Sequence, residues 1–169
     1  MAKRARLPLL PAILFAAAIP APALAATQNV TVNATVVRPL TLTSQQDLDL
    51  GSITLTLGSW SAATVGISRA GIFSCDTNVI CSGAPQVARY KVTGTNKMVV
   101  RITAPNVTLV NQADASKTLV LTVDNPGQVT LTSSGEPGNT FTLGGSITLS
   151  PTTAQGDYSG TFNVTVDYQ

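Results

Sequence analysis

Gly156-Asp157-Tyr158-Ser159-Gly160-Thr161-Phe162-Asn163-Val164-Thr165-Val166-Asp167-Tyr168-Gln169 closes the sequence. After Gly160, the residues Phe162, Val164, Val166 and Tyr168 alternate with Thr161, Asn163, Thr165 and Asp167. That two-residue period marks a strand with one face turned to a core and the other to water. The same signature recurs along the chain, in Ile53, Leu55 and Leu57, in Ala88, Tyr90 and Val92, and in Leu119, Leu121 and Val123. Thr and Val dominate, and β-branched side chains favour a pleated backbone. No segment carries a sustained 3.6-residue apolar period with caps, so the expectation is all-β, an antiparallel β-sandwich of many short strands.

Two hairpin registers follow from the pattern. A three-residue loop over Gly144-Gly145-Ser146 pairs Leu143 with Ile147 and Phe141 with Leu149, which places all four on one buried face. A turn around Gly94-Thr95-Asn96 pairs Val92 with Met98 and Tyr90 with Val100, at the small electrostatic cost of setting Arg89 opposite Arg101. Asn125-Pro126-Gly127 and Ser134-Gly135-Glu136-Pro137-Gly138 read as turns between strands, not as a domain boundary.

The opening residues are read as an address. Lys3, Arg4 and Arg6 precede an apolar run from Leu7 to Ile19, and Ala23-Leu24-Ala25 matches a small-residue cleavage site, so residues 1–25 are expected to be a secretory signal peptide. Residues 26–169 then form a single β-sandwich domain. The 169-residue chain has 10 basic and 8 acidic residues, net +2. Since three of the basic residues lie in the leader, the remainder carries a net −1, and no nucleic-acid partner is implied. An exported chain meets oxidising conditions, which predicts a disulfide between Cys75 and Cys81 worth roughly 2–2.5 kcal/mol for so short a loop.

Chemistry is sparse. The chain has no histidine, so triads built on a His base cannot form, and two cysteines without histidine cannot make a Cys/His zinc site. No enzyme activity, catalytic residue, metal site or cofactor is expected. Asp47 and Asp49 flank Leu48 on one side of a strand, a spacing that suits a carboxylate pair but suits a wet strand face better. Arg89, Lys91, Lys97 and Arg101 cluster around the second hairpin, where cations commonly blunt a sheet edge. Trp60 fits a core anchor better than a carbohydrate contact. Four Asn-x-Thr triplets, at Asn29, Asn33, Asn106 and Asn163, matter only in a host that glycosylates.

Both ends of the exported chain read as strands with one apolar face. Near the front, Val30, Val32, Ala34 and Val36 alternate with Asn and Thr. A long apolar strand left unpaired is an association site. The runs Val36-Val37-Arg38-Pro39-Leu40-Thr41-Leu42 and Asp47-Leu48-Asp49-Leu50-Gly51, with the closing Gly-x-Tyr-x-Gly and Val-x-Val-x-Tyr, resemble an exported bacterial domain-of-unknown-function family. That family is similar to the spore-coat-U-like and pilin-like subunits of chaperone–usher fibres. The resemblance implies an immunoglobulin-like sandwich lacking its last strand, completed by a borrowed one. It also implies a fibre subunit, structural or adhesive, in the periplasm and then at the cell surface. The implied partners are neighbouring copies or related fibre subunits, a periplasmic chaperone and an outer-membrane usher.

Candidate complementation residues are Val30, Val32, Ala34 and Val36 at the front and Phe162, Val164, Val166 and Tyr168 at the end. Burying three Val and one Ala is worth on the order of 5 kcal/mol. The alternative is a self-complete secreted sandwich whose own first strand closes the fold and whose loops bind a glycan or surface ligand.

Overall fold

The computed structural model describes residues 28–161 and 163–169. The leader, residues 1–25, and Phe162 lie outside the described residues. Residues 28–35 belong to a unit distinct from the body at 36–169. Among its described residues, 28–35, no strand forms: the front stretch joins none of the sheets, and Val30 and Val32 are 83% and 86% exposed. Ala34 is exposed too, and Val36, at the start of the body, is 91% exposed. The expected first strand over these residues is therefore corrected. Its alternation supplies an apolar face, but a strand exists only where another backbone completes its hydrogen bonds.

Thirteen strands form among the described residues. They are β1 (Thr41–Gln46), β2 (Ser52–Leu55), β3 (Ala63–Ile67), β4 (Phe73–Cys75), β5 (Val79–Ser82), β6 (Ala88–Thr93) and β7 (Val99–Thr103). They continue with β8 (Val107–Asn111), β9 (Thr118–Asp124), β10 (Gln128–Thr130), β11 (Asn139–Leu149), β12 (Tyr158–Ser159) and β13 (Thr165–Tyr168). One layer is an eight-stranded sheet ordered β1-β6-β11-β9-β8-β12, with β3 paired to β11 and β4 to β3. The β10-β7-β13 sheet and the β2-β5 pair are separate from it. Every pairing is antiparallel. The protein is an all-β, immunoglobulin-like sandwich: the alternation indicates the all-β sandwich, and the family resemblance implies the immunoglobulin-like form.

β11 is the spine. Its residues Asn139–Leu143 pair with β6, and further along it lies between β3 and β9. This continuous strand replaces the hairpin expected at Gly144-Gly145-Ser146. The glycines serve close approach and not a turn: neither has a positive φ, and a Cβ on Gly144 would collide with the backbone of Ile67, Ser68 and Arg69. Phe141, Leu143, Gly145, Ile147 and Leu149 keep one phase across the glycines and are all buried.

The second hairpin is also corrected. β6 pairs with β1 and β11, whereas β7 pairs with β10 and β13. Residues 94–98 carry the chain from one sheet to the other and are tied by Lys97 N to Leu131 O (2.7 Å) and Leu131 N to Met98 O (2.9 Å). Gly94 fits there because a Cβ would lie 2.5–2.9 Å from Tyr168, Leu40 and Leu131. Arg89 and Arg101 consequently sit on different sheets, and the basic hairpin does not exist. Arg101 instead has Asp167 as its cross-strand neighbour, and Lys91 pairs with Glu136 at 2.8 Å.

Two apolar cores result. In the first, Ala88, Val92, Phe141 and Leu143 of the large sheet meet Val100 and Ile102 of β7, with Leu131 fully buried between them. In the second, Ala63, Val65, Leu121, Ile147 and Leu149 meet Val79, with Ile53 and Leu55 against them. Leu48 and Val123 touch both cores. The Cys75–Cys81 disulfide is present, joining β4 to β5.

Candidate functional site

The end of the chain is treated in two ways. Val164, Val166 and Tyr168 lay their side chains against the first core, so that face is already covered. The Tyr168 hydroxyl accepts a hydrogen bond from Thr95 N (2.6 Å) and donates one to Arg38 O (2.7 Å). Arg38 N in turn donates to Thr95 Oγ1 at 2.7 Å. One side chain thus buckles the last strand to the turn at 95 and to the entry of β1. The pattern of Tyr168 shows an apolar ring at a strand end; its two polar partners, 73 and 130 residues away in sequence, are visible only in three dimensions.

A few residues earlier a groove lies beside the second core, whose residues Leu121, Ile147 and Leu149 are themselves buried. A groove of about 1190 Å³ runs between Asp47–Leu55 on one side and Thr153–Thr161 on the other. Its floor is Leu109, Leu119, Leu121, Ile147 and Leu149, with Ala88 and Tyr90 at one end. Three of these, Leu121, Ile147 and Leu149, are buried members of the second core, and the half-buried Leu109 and Leu119 carry the floor's apolar exposure. Each wall is nine residues long, and nine extended residues span about 30 Å.

The walls end in strands with a single partner. β2 pairs only with β5, and β12 only with β8. Between β1 and β2 the chain makes one ladder contact, the mutual Asp49–Gln86 pair at 2.9 Å each way. Asp49 also accepts Gly51 N on its carboxylate at 2.8 Å, which turns the chain into β2. Asp47 and Asp49 do lie on one side of Leu48, both exposed, while Leu48 turns inward. No cluster of metal-ligating side chains occurs among the described residues.

The far wall is pinned by Asn111, a residue that sequence reasoning did not single out. It is 2% exposed and ends β8. Its Nδ2 donates to Gln155 O at 2.9 Å, and its Oδ1 accepts from Ala113 N at 2.9 Å and Asp114 N at 3.2 Å. Beside it Gln112 N donates to Asp157 O at 2.8 Å. Gly156 stands at φ +136°, and a Cβ there would lie 2.5 Å from Asn111 Nδ2. One signal was available: Val107, Leu109 and Asn111 share an inward phase, and a polar residue in an apolar phase marks a satisfied buried group.

Tyr90 stacks on Phe141 with ring centroids 5.5 Å apart and reaches the groove. Burial pushes its hydroxyl above the usual tyrosine range, the nearby Asp47 charge adds to this, and the Ser44 hydroxyl opposes it. Trp60 packs against the second core and donates Nε1 to Thr56 O at 3.3 Å, the arrangement of a core anchor.

A groove lined by two strands with one partner each, on an immunoglobulin-like sandwich, defines the class: β-sandwiches with a surface groove beside the core. Residues 40–168 match the family model described as a domain of unknown function, DUF4402, and the chain belongs to that family. No curated protein and no solved structure matches it significantly.

Proposed function

We propose that the protein is a non-enzymatic subunit of a cell-surface fibre, structural or adhesive, that assembles by strand complementation. The groove over the second core carries this reading. Its floor is apolar, and its walls end in strands with one partner each. An inserted strand gains main-chain hydrogen bonds at about 1 kcal/mol each and buries alternate side chains, the physics of β-augmentation. The front segment supplies a donor of the right kind, because Val30, Val32, Ala34 and Val36 are exposed and outside any strand. In the proposed assembly they enter the groove of a neighbouring copy or related subunit. A periplasmic chaperone covers the groove before that, and an outer-membrane usher passes subunits outward. The leader grammar of residues 1–25 and the Cys75–Cys81 disulfide support export to an oxidising compartment.

Size exclusion and urea unfolding of the purified exported chain test this. The expected result is concentration-dependent association and a rise in unfolding midpoint when a peptide of residues 28–37 is added in excess. A strictly monomeric protein, unfolding in one cooperative step and indifferent to the peptide, would overturn it.

A further inference from the structure

The groove has a charge of one sign. Asp47, Asp49 and Asp157 line it, and no Lys or Arg does. Both ion pairs among the described residues, Arg69–Asp124 and Lys91–Glu136, involve other carboxylates. Asp47 and Asp49 belong to one lining segment and Asp157 to the other, all three exposed, so an inserted strand meets negative charge from both segments. Apolar side chains of that strand face Leu109, Leu121, Ile147 and Leu149, while the alternate side chains point outward toward the carboxylates. The chain's own front segment matches the floor but not the rim, since Ala26 to Val37 contain no charged residue at all.

We propose that the groove selects its occupant by rim charge, and that its preferred ligand is an extended segment of another polypeptide with apolar residues at alternate positions and Lys or Arg between them. The inference rests on the strand-complementation reading and adds a partner class to it. Apolar burial supplies affinity without distinguishing among β-prone segments; the three carboxylates do distinguish, because a like charge set between them is repelled and a cation is attracted.

Three unlabelled peptides test it by calorimetric titration into the purified exported chain: residues 28–37 as they stand, the same with Asn29→Lys and Asn33→Lys, and the same with Asn29→Glu and Asn33→Glu. At low salt the lysine peptide is expected to bind about fivefold tighter than the neutral one, and the glutamate peptide weaker than both. The spread should collapse at high salt. It should also collapse in the Asp47→Asn, Asp49→Asn, Asp157→Asn variant. Equal affinity of all three peptides for the unaltered chain overturns the charge selectivity and leaves complementation standing. Binding of none of them overturns both.

Discussion

The two cores of this sandwich are made of the same residue types and are finished differently. The first faces the three strands β10, β7 and β13 and is closed by Val164, Val166 and the doubly hydrogen-bonded Tyr168. The second faces only the β2-β5 pair, and a groove remains over Leu109, Leu121, Ile147 and Leu149. Hydrophobic content therefore does not decide whether a groove is left beside a core. The decisive quantity is how many backbone edges the chain can bring across it, and this chain brings one fewer to the second core than to the first.

The largest expected contrast comes from truncating one leucine in each region. Leu143→Ala, in the fully buried first core, should lower unfolding free energy by about 3 kcal/mol through lost burial and a residual cavity. Leu109→Ala, on the half-buried groove floor, should cost about 1 kcal/mol or less while weakening peptide stabilisation. Equal losses in urea melts would erase the distinction between a closed and an open core.

A middle-sized effect is expected at Asn111. Asn111→Ala strands Gln155 O, Ala113 N and Asp114 N and should cost about 2 kcal/mol. Hydrogen exchange should quicken at Tyr158 and Ser159 on the groove wall, with Val166 and Tyr168 in β13 unchanged. Quickening spread evenly over both regions would mean that the wall is not separately held.

Tyr168→Phe should give a small change, about 1 kcal/mol, since the ring stays packed and only its two hydrogen bonds disappear. The groove's peptide affinity should be untouched. A parallel loss of peptide binding would show that the buckle and the groove are one unit.

Much of the fold was legible from alternation alone. Val164, Val166 and Tyr168 do face a core, Ala88, Tyr90 and Val92 form β6, and Cys75 and Cys81 are joined. The two hairpin errors share a cause. Gly144-Gly145 and Gly94-Thr95-Asn96 carry the composition of turns, and local composition does not distinguish a reversal within one sheet from a close backbone contact or a crossing between sheets. At Gly144 the unbroken odd-numbered phase from Phe141 to Leu149 was the better guide. The front strand failed for the opposite reason: its pattern is right, but a pattern contains no partner.

From its sequence alone the protein was bound to be an all-β sandwich with a short disulfide loop and without histidine chemistry, because two-residue periodicity, cysteine spacing and composition are local properties. Tertiary structure decided that β11 runs straight through its glycines, that Asn111 and Tyr168 act as fasteners, and that a groove lined by three aspartates lies beside the second core. Those outcomes depend on which backbone edges meet across the chain, and edge pairing is set by the packing of distant segments that no single stretch encodes.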